Sequence, residues 1–198
     1  MFYLGIDLGQ RRDHTALAVV ERLAGGELVV RHLERVTLGT PYPAVVARVR
    51  ALAGSKAMRG SCALAVDATG VGAPVVDLLR SAGMGCDVSA VTITGGERER
   101  FTGNGPGANW SVPKRDLMAE VQVLLEREEL RIAKDLRGLR MLLRELMDVQ
   151  ERLKSNGGTR LGADGHGEHD DLAIALALAC WRAKRAREIF GAGRLPGI

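Results

Sequence analysis

Only three cysteines, Cys62, Cys86 and Cys180, occur among 198 residues. They are too few and too scattered for a disulfide framework or a thiolate zinc cluster, and they read as buried, reduced thiols of a cytosolic protein. Long hydrophobic runs are missing too. No stretch is long enough to cross a bilayer, and the opening MFYLGIDLGQ lacks the layout of a secretory leader, so no membrane association is expected. Several catalytic signatures are also absent. Without G-x-x-x-x-G-K-[ST] there is no Walker ATPase in this chain. Without G-x-S-x-G, H-E-x-x-H or C-x-x-C, three further enzyme classes fall away. Chemistry is left to carboxylates, histidines and basic groups.

What is present is ordinary globular material, 46% hydrophobic and 26% charged, in a length that favours one domain with a real core. The formal charge of +4 and isoelectric point near 9.2 fit a nucleic-acid partner. The runs FYLGID (2–7), TALAVVE (15–21) and ELVVRHLERV (27–36) predict three consecutive strands, the last two joined at Gly25-Gly26. Val45, Val46, Val49 and Leu52 then repeat at helical spacing behind Pro41 and Pro43, with Gly54 at the end. CALAVD (62–67) reads as a strand buried on both faces, VVDLLRSAG as a helix behind Pro74, and DVSAVTI (87–93) as a further strand. Residues 94–112 carry five glycines and predict a mobile surface loop with no core element.

A helix over 113–127 follows, with Leu117, Val121, Leu124 and Leu125 on one face, then a short edge strand or link at 129–133. A long helix is expected with Leu136, Leu139, Leu143, Leu146, Val149 and Leu153 in register. Residues 154–169 read as a second glycine-rich loop, with room for a hairpin, and HDDLAIALALACWRAKRAREIF as a last helix, apolar then basic. Residues 1–190 are thus expected to be a single domain and 191–198 a disordered tail. The order βββ-α-β-α-β-α implies an α/β architecture, a mixed central sheet flanked by helices, which is the element order of the ribonuclease H-like fold.

Acids sit where such a fold collects ligands. Asp7 ends the first strand and Asp67 the fourth; if these strands are parallel neighbours, both carboxylates enter one crevice. Asp170 and Asp171 open the last helix, where acids also serve as caps or dipole partners. Taken singly, each acid is as readily a loop or cap residue. Together they form a cluster that repels itself unless a cation enters, and hard oxygen donors suit Mg²⁺ or Mn²⁺.

GIDLGQRRDHTALAVVE, LAVDATGVGAPVVDLL, VPKRDLMAEVQVLLEREELRI and EHDDLAIALALA, in that order over roughly residues 4–180, resemble the nuclease domain of phage terminase large subunits. The resemblance implies a ribonuclease H-like, Mg²⁺- or Mn²⁺-dependent endonuclease that hydrolyses double-stranded DNA with two metal ions during genome packaging. It implies Asp7, Asp67 and Asp171 as metal ligands, with Asp170 as alternative ligand or outer-shell group. Asp13 would be a supporting acid, and Lys114 a basic group facing the substrate phosphate. It further implies double-stranded DNA as partner, in the cytoplasm of a bacterial host and of phage or prophage origin. Full-length members also carry a packaging ATPase. None is encoded in this chain, so an excised domain or a separate gene product is expected, with a motor, small terminase subunit or portal as further partners.

Other readings stay open. A RuvC-type Holliday-junction resolvase shares the fold and the carboxylates. A catalytically silent DNA-binding or portal-docking module would keep the basic loops without cutting. G-I-D-L-G also opens actin-like ATPases, which need two such domains and a longer chain. Arg98, Arg100, Trp110, Lys114 and Arg115 read either as a DNA-contacting flap or as a solvated loop with Trp110 anchored to the core. His169 is a candidate for proton transfer or phosphate contact, or an ordinary loop residue; His14 reads as the latter. Arg182, Lys184, Arg185 and Arg187 read as a favourable cationic helix end. The turn TGVG (69–72) reads as a tight strand-to-helix turn.

Overall fold

The computed structural model describes residues 1–9, 13–70, 72–103, 109–155 and 170–191, with side chains to residue 149 of the fourth helix and residue 186 of the fifth. Among them are eight strands in one mixed sheet and five helices. Strands β1 (Phe2–Asp7), β2 (Ala16–Arg22) and β3 (Leu28–Arg35) form the expected antiparallel meander. Helix α1 (Tyr42–Ala53) starts behind Pro41, whose φ of −62° suits a helix entry, and leads to β4 (Cys62–Asp67). Helix α2 (Gly72–Ser81) leads to β5 (Asp87–Thr94), and β4 lies parallel to both β1 and β5. Then come β6 (Arg100–Phe101), β7 (Asn109–Pro113), α3 (Lys114–Glu126), β8 (Leu130–Ile132), α4 (Leu139–Ser155) and α5 (Asp171–Gly191). The strand order is β6-β7-β5-β4-β1-β2-β3-β8.

Period-two alternation divides the core between the two faces of the sheet. Leu4, Ile6, Leu17, Val19, Leu64 and Val66 pack with Val45 and Val49 of α1 and Val75, Val76 and Leu79 of α2. Tyr3, Ala16, Ala18, Val20, Ala63 and Ala65 face the other way, toward α3, α4 and the long buried stretch of α5. The small residues on that face admit α5 close against the strands. At Gly5 an added Cβ would fall 1.9 Å from the Ala175 carbonyl oxygen, so only glycine allows the helix to cross there.

Several expectations need correction. Residues 94–112 are not an element-free loop. β7 pairs parallel with β5 from Ala90↔Asn109 to Thr94↔Pro113, and Val112 is buried. The glycines hid a strand because its partner is distant in sequence. On α4 the buried positions are Leu142, Glu145 and Val149, while Leu143 and Met147 face solvent and Leu146 is half-buried. The stripe thus lies one residue before the expected Leu143. Helix α4 begins only at Leu139, after Gly138 turns the chain with φ of +87°. On α3, Leu117, Met118 and Val121 are buried and Leu125 is exposed. The cysteines are not all free thiols. Cys62 and Cys86 are joined as a disulfide across Cα atoms 5.5 Å apart, and Cys180 is the buried free thiol. No described helix is long and apolar enough to cross a membrane. The second glycine-rich loop gives its first residues, 154 and 155, to α4; its remainder, 156–169 with His169, the side chains of Leu153 and Arg187, and the 192–198 part of the tail lie outside the described residues.

Candidate active site

The parallel pairing of β1 with β4 runs from Phe2↔Cys62 to Ile6↔Val66, so Asp7 and Asp67 follow as the next residues of both strands. Both carboxylates fall on the α5 side of the sheet, at the carboxyl ends of adjacent parallel strands. Asp67 is held in place. Its Oδ1 accepts the Thr69 N–H at 2.8 Å, and the Thr69 hydroxyl oxygen accepts the Ile93 N–H of β5 at 2.9 Å. The glycines of TGVG serve this turn: Gly70 has φ of +63°, and a Cβ on Gly72 would meet the Asp67 carbonyl oxygen at 2.3 Å. In the D-x-T-A stretch, the hydroxyl oxygen of buried Thr15 accepts the Gly9 N–H at 3.2 Å, tying down the loop after β1.

The first turn of α5 brings the remaining acids. Asp7, Asp67 and Asp170 line one pocket of about 270 Å³ with Thr69, Ile93, Thr94, Gly95, Lys114 and Ile174. Lys114, first residue of α3, places Nζ 2.7 Å from Asp170 Oδ2. Asp171 is buried and does not line this pocket; its Oδ2 lies 3.4 Å from Arg35 Nη2. Burial pushes the Asp7 carboxyl well above the usual carboxylate range, and the charges of Asp67, Asp171 and Asp170 push it further, against Lys114. Burial also raises Asp67, opposed by its Thr69 hydrogen bonds and by Lys114.

Two residues at the site gave no motif in the sequence. Glu145 of α4 is buried, bonds Arg35 Nη2 through Oε1 at 2.6 Å, and accepts the Ala173 N–H of α5 through Oε2 at 2.9 Å. Burial lifts its carboxyl to about 7, against the Ala173 N–H and Arg35 and with the help of Asp171. The signal for it was a glutamate at i+3 from Leu142 and i−4 from Val149, on the buried stripe of the helix. Arg35 ends β3 opposite Ala16, which itself pairs with Asp7. Asp7, Ala16 and Arg35 therefore form one row across the sheet, and the short Ala16 side chain leaves the guanidinium room to reach the acids.

Other candidates are placed elsewhere. Asp13 is exposed in the loop after β1 and does not line the acid pocket. His14 bonds the Val36 carbonyl oxygen through Nδ1 at 3.0 Å. Trp110 is half-buried edge-on to Trp181 of α5, ring centroids 5.5 Å apart, with Phe101 at 4.9 Å and the Arg185 guanidinium 4.7 Å from its ring centre. Arg98 and Arg100 are exposed, and exposed Arg115 lies 3.3 Å from Asp116. His169 lies outside the described residues.

The donor set suits a hard divalent cation: four carboxylates, with the Asp7 charge opposed by burial and by three like charges. Among the described residues, no three acid, histidine or cysteine side chains are gathered tightly enough to enclose an ion as they stand. Lys114 and Arg35 instead supply the positive charge beside Asp170 and Asp171.

No protein-family model and no curated protein matches the chain. Solved structures do. The large terminase nuclease from thermophilic phage G20c is 21% identical, aligned over 90% of this chain and 80% of its own, with a TM-score of 0.57. The large terminase nuclease domain of bacteriophage SPP1, solved with bound Mn, is 12% identical over 91% of this chain and 85% of its own, with a TM-score of 0.50. Thermus thermophilus RuvC in complex with a Holliday junction is 20% identical over 95% of this chain and 96% of its own; its TM-score of 0.47 carries no weight. At these identities the likeness speaks for architecture, and the chain has the ribonuclease H-like fold shared with large-terminase nuclease domains.

Proposed function

We propose that residues 1–190 form a divalent-metal-dependent DNA endonuclease of the terminase large-subunit type, cutting double-stranded DNA during genome packaging in a bacterial host. One observation carries this reading. Asp7 lies half-buried beside Asp67 at the ends of neighbouring parallel strands, with the charges of Asp171 and Asp170 bearing on it from α5. Such an arrangement is costly for a fold unless a cation enters it. The terminase-like motifs D-A-T-G-V-G and H-D-D supply Asp67 and the pair Asp170-Asp171.

In this proposal Asp7, Asp67 and Asp171 hold Mg²⁺ or Mn²⁺, with Asp170 as a further ligand or a support. Two such ions, when bound, supply activation of the attacking water and neutralisation of charge on the departing 3′ oxygen. Thr69 keeps the Asp67 carboxylate aimed into the pocket. Lys114 leaves Asp170 to meet the incoming phosphate, and Arg98, Arg100 and Arg115 hold the flanking backbone. Asp13, exposed after β1, and His169 are kept as supporting groups in this reading. Trp110 acts by anchoring the strand that delivers Lys114.

The test is strand cleavage of plasmid, linear duplex and four-way junction with Mg²⁺, Mn²⁺, Ca²⁺ or EDTA, beside Asp67→Asn. The expected result is duplex cleavage with Mn²⁺ or Mg²⁺, lost in EDTA and in the folded variant. Survival of activity in Asp67→Asn refutes the site. Strong preference for the junction replaces the terminase reading with a resolvase. Metal binding without cleavage assigns the cut to a complex with a motor partner.

A further inference from the structure

We infer that Arg35 and Glu145 are positioning residues that aim the Asp171 carboxylate at Asp7; the inference rests on the nuclease reading above. Glu145 is 4% exposed on the apolar stripe of α4, a place where a carboxylate is costly unless each oxygen is paired. Both oxygens are paired, and to two different elements. Oε2 takes the Ala173 N–H, one of the donors that the first turn of α5 cannot satisfy internally, at 2.9 Å. Oε1 takes Arg35 Nη2 at 2.6 Å, and the same nitrogen lies 3.4 Å from Asp171 Oδ2.

Strand β3, helix α4 and the start of α5 are therefore tied together at one point. That point lies in the row Asp7–Ala16–Arg35, beside the acid pocket. Stability does not require such a knot, since a buried ion pair is commonly replaced by apolar side chains without loss. A knot of fixed geometry does accomplish something apolar packing cannot: it sets the rotation of the first turn of α5, and with it the direction of Asp171. Outer groups that orient metal ligands in this way typically govern affinity by 10–100-fold.

The experiment is titration calorimetry of the metal-free full chain with MnCl₂, with duplex cleavage kinetics and melting temperatures alongside, for wild type, Arg35→Met and the double variant Arg35→Met/Glu145→Gln. Charge alone and positioning predict opposite signs. Removing a cation beside Asp171 would tighten Mn²⁺ binding if Arg35 acted only through its charge. Positioning predicts Mn²⁺ affinity weaker by about tenfold or more, and a fall in kcat with KM for DNA unchanged. The double variant removes the Glu145 charge that Arg35→Met alone would leave buried without its guanidinium, and keeps an acceptor for the Ala173 N–H. It is expected to recover the wild-type melting temperature while Mn²⁺ binding stays weak. Equal or tighter Mn²⁺ binding by Arg35→Met overturns the inference. So does a double variant that regains wild-type affinity along with its stability. If wild type binds Mn²⁺ and cuts while both variants match it, this inference alone fails. If wild type neither binds Mn²⁺ nor cuts, the nuclease reading fails and takes the inference with it.

Discussion

Asp7 stands in surroundings that work against its own charge: burial first, then Asp67, Asp171 and Asp170. A neutral side chain of the same shape escapes that cost. Asp7→Asn is therefore expected to melt several degrees higher than wild type in EDTA while losing all cleavage, an exchange of stability for function. Differential scanning calorimetry with a nicking assay checks both halves, and a lower melting temperature in EDTA would contradict the electrostatic account. The pH dependence follows from the same groups. Glu145 rises from 4.5 toward about 7 on folding, and Asp7 also rises. Between those values the folded chain keeps protons that the unfolded chain has released. The metal-free protein is thus predicted to lose stability as pH rises from about 4.5 through 7. Urea unfolding in EDTA at several pH values measures the slope, and Glu145→Gln should flatten it.

At the scale of elements, the decisive contact is α5 against β1. Gly5→Ala would drive a methyl into the Ala175 carbonyl, a backbone clash that no rotamer relieves. The expected cost is about 3 kcal/mol or more, read by urea unfolding. On α4 the two adjacent leucines should behave oppositely. Leu142 is fully buried, and Leu142→Ala should cost about 2–5 kcal/mol. Leu143 is 45% exposed, and Leu143→Ala should stay within about 0.5 kcal/mol. Equal effects would mean that the helix face is wrongly oriented and, with it, the place of Glu145.

For the whole molecule, binding and stability are linked. A cation that enters only the folded acid cluster stabilises the fold by mass action. Millimolar Mn²⁺ should therefore raise the melting temperature of wild type, and much less that of Asp67→Asn. Duplex binding is expected to weaken steeply with salt. Replacing Arg98, Arg100 and Arg115 together by alanine should reduce the slope of log K against log salt by about 2–3, measured by fluorescence anisotropy in Ca²⁺. An unchanged slope would place the DNA path elsewhere on the surface.

Local pattern determined a large part of this protein. The apolar runs ending in Asp7 and Asp67, the Gly-Gly turn, the prolines at helix starts and the acids before an alanine-rich helix are all written within a few residues of where they act. Only tertiary structure could decide what depends on distant partners. Strand β7 exists because β5 offers it a parallel edge, so 94–112 looked like loop when read alone. Cys62 and Cys86 pair because β4 and the turn before β5 bring their Cα atoms within 5.5 Å. Arg35 and Glu145 are 110 residues apart and neither belongs to a motif. A charge becomes a functional candidate when burial forces it to find a partner, and burial is a property of the packed sheet and helices rather than of the residues beside it in the chain.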